Sequence, residues 1–118
     1  MTIGFWCPVD ATVAVIGGKW KPTILFHLKN GPRRFNELRR LMPNITQRML
    51  TLQLRTLEAD GIIARTVHEQ VPPWVEYSFT KHGLTLGPLF DAMEQWGMKY
   101  GARPDSQPEA SRSAASNP

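Results

Sequence analysis

The stretch from Ile45 to Gly61 is the feature that most constrains how this chain can fold. Thr46 is a suitable N-cap, because its hydroxyl can accept a hydrogen bond from a free N–H of a first helical turn. Gly61 is a suitable end, because glycine readily adopts the left-handed conformation that closes many helices. Between them, apolar side chains recur at i, i+4 and i+7, on one helical face; they are Leu50, Leu54 and Leu57. The stretch predicts an amphipathic helix.

The opposite face of this predicted helix has side chains suited to a DNA major groove. It carries Arg48, Thr51, Leu52 and Arg55, with Gln47 beside it on the first turn. Arginine can donate two hydrogen bonds to guanine, glutamine can pair bidentately with adenine, and a threonine methyl can contact thymine. Taken alone, the pattern is equally typical of an ordinary helix whose solvent-exposed face is basic.

The positive charge of the chain is concentrated around this helix. The 118 residues have a net charge of +4 and an isoelectric point of about 9.6. Residues 29–55 contain seven basic residues and one acid, Glu37, so this segment has a net charge of +6 and the remainder −2. Charge focused in this way indicates a nucleic-acid partner, although a basic surface alone also fits a solvated domain.

Length and composition predict a single cytoplasmic domain. The chain has the length of one domain, and its apolar fraction of 42% is normal for a globular protein. Its single cysteine, Cys7, excludes an intrachain disulfide and fits a reducing compartment. We find neither an apolar run near the roughly 20 residues of a membrane span nor a signal-peptide pattern, and we expect no membrane association.

The residues before Thr46 predict three short helices, at 9–16, 19–29 and 35–41. Pro8 suits the first turn of the first helix, where its missing N–H does no harm. A tight turn at 42–45 joins the third helix to the amphipathic one. Two helices joined by so short a turn form a helix-turn-helix.

The residues after Gly61 predict a β-hairpin, with strands at 62–68 and 74–79 and a loop that contains two prolines. A hairpin directly after a recognition helix is the wing of a winged helix. Thr80 then predicts the start of one last helix, about Lys81 to Tyr100, which Gly87-Pro88 is expected to kink.

Two groups of apolar side chains predict a homodimer. The last predicted helix has more of them than a helix with one buried face needs, and those of the N-terminal residues have no surface to cover. A small chain gains buried surface by pairing with a second copy. The candidate dimerisation residues are Ile3, Phe5, Trp6, Leu89, Phe90, Met93 and Trp96. We therefore divide the chain into an arm (1–6), a winged-helix domain (7–102) and a tail (103–118) that its composition predicts to be disordered.

Seven segments together resemble the HxlR-type winged helix-turn-helix regulators, small bacterial transcription factors related in fold to the MarR type. In order, they are Cys7-Pro8-Val9, Gly18-Lys19-Trp20, Arg34-Phe35-Asn36-Glu37-Leu38, Ile45-Thr46-Gln47-Arg48-Met49-Leu50, Leu57-Glu58-Ala59-Asp60-Gly61-Ile62, Val71-Pro72-Pro73 and Val75-Glu76-Tyr77. Their order and spacing are specific, although no single segment is. The resemblance implies a mainly α fold with a small β-hairpin (α+β) and a dimeric, DNA-binding regulator, usually a repressor, that binds an inverted repeat of double-stranded DNA.

The predicted DNA-contacting residues come from the helix face, the start of the helix-turn-helix and the wing. Arg48 lies near the helix N-terminus, where recognition helices usually meet base edges, whereas Arg55 is better placed for phosphate. The full set is Arg34, Thr46, Gln47, Arg48, Thr51, Arg55, Arg65 and His68.

One wing residue departs from the family pattern. The residue after the two prolines is often Arg or Lys in the family, whereas here it is Trp74, and the loop also contains Glu69. This composition disfavours phosphate anchoring by the tip of the wing, which leaves Arg65 and His68 as the candidates in the hairpin.

Cys7 is a candidate redox sensor. A helix start lowers a thiol pKa and favours the reactive thiolate, and the resemblance implies that some relatives sense electrophiles or oxidants through a cysteine at this place. Against this, a lone cysteine is often an inert small hydrophobe, and the neighbouring Phe5 and Trp6 suggest burial. A small-molecule effector is the other possible signal.

No pattern predicts an enzyme, a cofactor or a metal site. The three histidines are scattered, without cysteines or paired acids at metal-binding spacing. Trp20, Trp74 and Trp96 are more typical of a core than of a small-molecule pocket. The alternative to a DNA-binding regulator is a winged-helix interaction module whose basic face binds an acidic protein.

Overall fold

The computed structural model describes residues 5–103. The elements, in chain order, are α1 (Pro8–Ile16), α2 (Lys21–Leu28), β1 (Arg33–Arg34), α3 (Phe35–Leu41), α4 (Gln47–Ala59), β2 (Ile63–His68), β3 (Trp74–Phe79), α5 (Lys81–Leu84) and α6 (Gly87–Tyr100). The described residues divide into two compact units between Leu86 and Gly87. Ile3 and the predicted tail beyond Arg103 lie outside the described residues. The mainly helical fold with a small antiparallel sheet agrees with the sequence prediction.

The core of the first unit is built on the predicted apolar stripe of α4. Leu50, Leu54 and Leu57 are at most 1% exposed. They are joined by apolar side chains of α2, α3 and the sheet, which are Ile24, Leu25, Leu28, Leu38, Ile63 and Tyr77. Full burial of one leucine contributes on the order of 1.5–3 kcal/mol, so this stripe fixes which face of α4 remains outside.

Both ends of α4 have the predicted caps. The Thr46 hydroxyl accepts a hydrogen bond from the Met49 N–H at 3.0 Å. At the other end, Gly61 has a φ of +75°, the left-handed conformation that favours glycine. The bounds of the central helix are therefore confirmed to within one or two residues.

The sheet contains one strand more than the predicted hairpin. β1, β3 and β2 lie side by side in this order, and both pairs are antiparallel. In the register, Arg34 lies opposite Glu76, and His68 lies opposite Trp74. Since successive side chains of a strand point to opposite faces, these four side chains share one face of the sheet.

The prediction of one kinked helix from Lys81 to Tyr100 is wrong, because α5 ends at Leu84 and α6 begins at Gly87. Thr80 does cap a helix, since its hydroxyl accepts from the Gly83 N–H at 2.9 Å, but that helix is α5. A side chain at position 83 would overlap the Ile62 carbonyl, so Gly83 packs α5 directly against the backbone before β2. Pro88 has no N–H to donate back to Leu84, and the ladder is interrupted there.

Candidate nucleic-acid interface

The outer face of α4 is exposed as predicted. Arg48 and Arg55 are exposed, Thr51 is half-buried, and Leu52 is 53% exposed. Together with Thr46, Gln47 and Met49 they line one shallow surface depression. The buried leucine stripe on the other side holds this face outward.

The one acid of the basic segment has a structural partner. A carboxylate oxygen of Glu37 accepts the backbone N–H of Arg34 at 2.8 Å, across the first turn of α3. A negative side chain in a first turn also interacts favourably with the helix dipole. Glu37 therefore stabilises the start of α3, and none of the residues that line the depression on α4 is acidic.

Gln47 accepts a hydrogen bond from a residue outside the predicted DNA-contacting set. Arg39 Nη1 donates to Gln47 Oε1 at 3.3 Å. Bidentate pairing with adenine uses both the oxygen and the NH₂ group of glutamine. Arg39 therefore orients the Gln47 amide, and the amide oxygen retains a second lone pair.

The neighbouring arginines of β1 point to different surroundings. Arg33 Nε donates to the His27 carbonyl of α2 at 3.0 Å. Arg34 is exposed, and its guanidinium carbon lies 3.8 Å from the centre of the Trp74 ring. Only Arg34 of the pair is thus placed on the outer face of the sheet.

The two wing candidates lie on opposite faces of the hairpin. Arg65 is exposed and lies opposite Tyr77, whereas His68 lies opposite Trp74 and stacks on it, with ring centres 3.8 Å apart. His68 Nε2 is also 3.0 Å from Glu76 Oε1. One ring nitrogen of His68 is therefore occupied, and the structure does not bring Arg65 and His68 together on one surface.

The pKa of His27 is lowered from its ordinary value of 6.5, mainly because burial disfavours the charged ring and further because Arg33 is close by. Where α2 meets β1, the surroundings of His27 thus favour its neutral form.

Comparisons with known proteins agree with this architecture. The model of the HxlR-like helix-turn-helix family matches residues 15–105. The chain belongs to this family. It is 58% identical to the HTH-type transcriptional regulator YdeP of Bacillus subtilis over 108 residues, which is 92% of this chain and 84% of YdeP.

Two solved structures are similar to this HxlR-like protein. The redox regulator HypR in its oxidized form is 57% identical, with a TM-score of 0.78, over 82% of this chain and 100% of that one. A protein assigned to the MarR family from Porphyromonas gingivalis is 33% identical, with a TM-score of 0.76, over 84% of this chain and 97% of that one. The predicted family and winged helix-turn-helix fold are confirmed. The protein is a transcriptional regulator of the HTH type and not an enzyme.

Cys7 of the HxlR-like protein is the N-cap residue of α1 and is half-buried. Its carbonyl accepts the Ala11 N–H at 3.0 Å. Phe5 and Trp6 are 70% and 73% exposed within one chain. Trp6 borders an apolar groove of about 290 Å³ that Ile16, Ile62 and others line.

The second unit of the HxlR-like protein contributes α6, in which no residue is buried. Its apolar side chains include Leu89, Met93 and Trp96, which are 37%, 42% and 63% exposed, and Phe90, which is half-buried. These are the residues that the sequence predicted for dimerisation.

Within residues 5–103, no group of three His, Cys, Asp or Glu side chains is placed to hold a metal ion. No helix there has the length and apolar character needed to cross a membrane.

Proposed function

We propose that this HxlR-like regulator is a repressor that binds an inverted-repeat operator as a homodimer. The observation that carries the proposal is α4. Its capped N-terminus and its outer depression, which no acid lines, are held outward by a fully buried leucine stripe. Each subunit would place α4 in a major groove, with the two helices about 34 Å apart, one turn of DNA. Occupying a promoter in the bacterial cytoplasm would then block transcription.

The proposed contacts divide into base and phosphate contacts. Arg48 and Gln47, on the first turn of α4, face base edges, with Thr46 and Thr51 beside them. Arg55 lies two turns further along and contacts phosphate, which positions a protein without specifying sequence. Arg34 and the wing residues Arg65 and His68 are the remaining phosphate candidates.

Fluorescence anisotropy tests this proposal. The full chain is titrated onto a duplex from the region upstream of its own gene and onto a scrambled duplex, across a salt series. We expect a preference of about a thousandfold or more for the native duplex, and Arg48→Ala should weaken specific binding by about 1–3 kcal/mol. Lys81→Ala, which removes the same charge from α5, is the control.

An unchanged affinity of Arg48→Ala for the native duplex would remove Arg48 from the base contacts. Equal, steeply salt-dependent binding to both duplexes would show the phosphate contribution alone. That result would favour one of two conclusions. Either the operator lies elsewhere in the genome, or the protein is an interaction module whose basic face binds an acidic protein.

The dimer is proposed to form through the arm and α6. In this arrangement residues 7–102 act as the winged-helix domain, residues 1–6 as the arm and residues 103–118 as the tail. The exposed Phe5 and Trp6 in the arm, together with the apolar side chains of α6, support this division because large apolar groups that remain in water are unfavourable.

Cys7 is proposed as the sensor of an oxidant. Its place at a helix start supports the proposal, as does the similarity to HypR, which is a redox regulator. Two thiols, from two subunits or from Cys7 and a small thiol, would lose two electrons and two protons to the oxidant and form one disulfide. The altered subunit arrangement would change the separation of the two α4 helices and release DNA.

Diamide treatment checks this step. We expect diamide, which is reduced to its hydrazine as the disulfide forms, to release the wild-type protein from DNA and to leave Cys7→Ser bound. Release of Cys7→Ser by diamide would exclude Cys7 as the sensor and leave a small-molecule effector as the candidate signal.

A further inference from the structure

The outer face of the wing contains a stack of three side chains built around Trp74. The Arg34 guanidinium carbon and the His68 ring centre each lie 3.8 Å from the Trp74 ring centre, and the two aromatic planes differ by 17°. Since β3 lies between β1 and β2, Arg34 and His68 approach the indole from opposite sides. We call Arg34, Trp74, His68 and Glu76 the wing clamp.

The His68 side of the wing clamp is fixed by a polar contact. His68 Nε2 lies 3.0 Å from Glu76 Oε1, which ties the imidazole to the central strand. Trp74 Nε1 is buried, and no hydrogen-bond partner for it occurs within residues 5–103. The indole is therefore held by stacking rather than by its own polar group.

Stacking leaves the donors of Arg34 available. A guanidinium that lies flat on an aromatic ring uses its face, whereas its five N–H groups point outward in the plane. Arg34 is exposed, and no carboxylate forms an ion pair with its guanidinium in the described part of the chain. The nearest acid by register, Glu76, is engaged with His68.

The location of Arg34 suits a phosphate contact. It directly precedes α3, the first helix of the helix-turn-helix, which crosses the DNA backbone when the second helix enters the groove. The wing loop, residues 69–73, contains Glu69 and no Lys or Arg. A cation at the base of the wing would supply the attraction that its loop lacks.

We propose that Trp74 is a positioning residue for DNA binding, which holds the Arg34 guanidinium in the orientation that contacts a DNA phosphate. This inference rests on the proposed function and deepens it. In this chain the wing would bind the DNA backbone through a stacked arginine at its base instead of a basic residue after the two prolines.

The salt dependence of DNA affinity tests the role of Arg34. Anisotropy titrations with the scrambled duplex are sufficient, because phosphate contacts do not depend on sequence. Arg34→Ala should reduce the slope of log affinity against log salt by about 0.9, the value of one phosphate. The control is Arg33→Ala, which removes the same charge from the adjacent residue on the other face, and it should leave that slope closer to wild type.

Substitutions at Trp74 test the positioning. Trp74→Ala should weaken binding severalfold, in the direction of Arg34→Ala, and should have no further effect in the Arg34→Ala background. Trp74→Phe retains an aromatic face for the guanidinium and should bind nearly as well as wild type. Thermal unfolding of each variant shows whether the fold is retained.

The outcomes separate the two proposals. Failure of the wild-type protein to bind any duplex would reject the proposed function itself. Normal wild-type binding, together with independent and additive losses for Arg34→Ala and Trp74→Ala, would reject only the positioning role. The positioning role would also be rejected if Trp74→Phe binds DNA as weakly as Trp74→Ala while both variants remain folded.

Discussion

Among single residues, Gln47 shows how a neighbouring side chain can orient a proposed DNA-contacting group. Its position on the first turn of α4 follows from the sequence, but its hydrogen bond to Arg39 does not. Arg39 comes from the preceding helix, and only the turn between α3 and α4 brings it within reach. The type of side chain in a groove can thus be predicted from sequence, whereas its free donors and acceptors depend on tertiary contacts.

The lowered pKa of His27 predicts acid sensitivity of the fold. Because the folded state keeps the ring neutral, the unfolded chain binds more protons once the pH falls below about 6.5, the ordinary value. The contribution is fully present above that pH and is lost as the pH falls toward the lowered value. We therefore expect the wild-type free energy of unfolding to decrease more between about pH 7 and pH 5 than that of His27→Gln.

Urea denaturation at a series of pH values measures this difference. His82→Gln, which changes an exposed histidine in α5, is the control and should follow the wild-type curve. Parallel curves for wild type and His27→Gln would show that His27 does not contribute to the acid sensitivity.

Trp74 marks the limit of sequence reasoning about single residues. The departure of Trp74 from the family pattern is visible in the sequence. The partners of Trp74 are not visible there, because Arg34 is distant in the chain and lies nearby only through the pairing of β1 with β3. Conversely, the exposed positions of Arg48 and Arg55 could be predicted, because helical spacing alone sets them opposite the leucine stripe.

At the scale of elements, the N-terminus of α4 combines a structural and a functional task in Thr46. Its hydroxyl caps the helix at 3.0 Å from the Met49 N–H, and its exposed position borders the proposed DNA contacts. Thr46→Ala should lower the free energy of unfolding by about 1 kcal/mol. Thr46→Asp should keep the cap and the stability but weaken DNA binding, because it adds a negative charge near phosphate.

Urea denaturation and anisotropy on the same samples separate the two tasks, with Thr46→Ser as the control that should preserve both. If Thr46→Asp lowers the free energy of unfolding as much as Thr46→Ala does, the result would argue against a capping role for the side chain at position 46. Unaltered DNA affinity of Thr46→Asp would place Thr46 away from the DNA.

Elements with a local signal were predicted well, whereas those defined by long-range contacts were not. The caps and apolar spacing of α4 and the alternation in β2 and β3 lie within each segment. β1 has only two residues, and it is identified as a strand because it pairs with β3. The packing of α5 depends on Gly83 against the Ile62 carbonyl, a contact that no local pattern reveals.

For the whole molecule, α6 is the element whose sequence is least explained by a single chain. Leu89, Met93, Trp96 and Tyr100 recur at helical spacing along one stripe, and all are exposed. Another face carries Asp91, Gln95 and Lys99. Such an amphipathic helix needs an apolar surface on its first face. A second subunit provides one in the proposed dimer, and it would also bring two copies of α4 to one inverted repeat.

Substitution within this stripe therefore tests assembly and DNA binding together. Trp96→Glu places a charge where the proposed dimer excludes water, so we expect the variant to sediment as a monomer at concentrations where wild type is a dimer. Its affinity for an inverted repeat should fall to that for a single half-site, because the second α4 no longer binds as part of the same molecule. Gln95→Glu adds the same charge to the polar face and should sediment and bind like wild type. A dimeric Trp96→Glu would move the interface away from α6, and a monomeric variant with full affinity for the repeat would mean that DNA binding does not depend on the dimer.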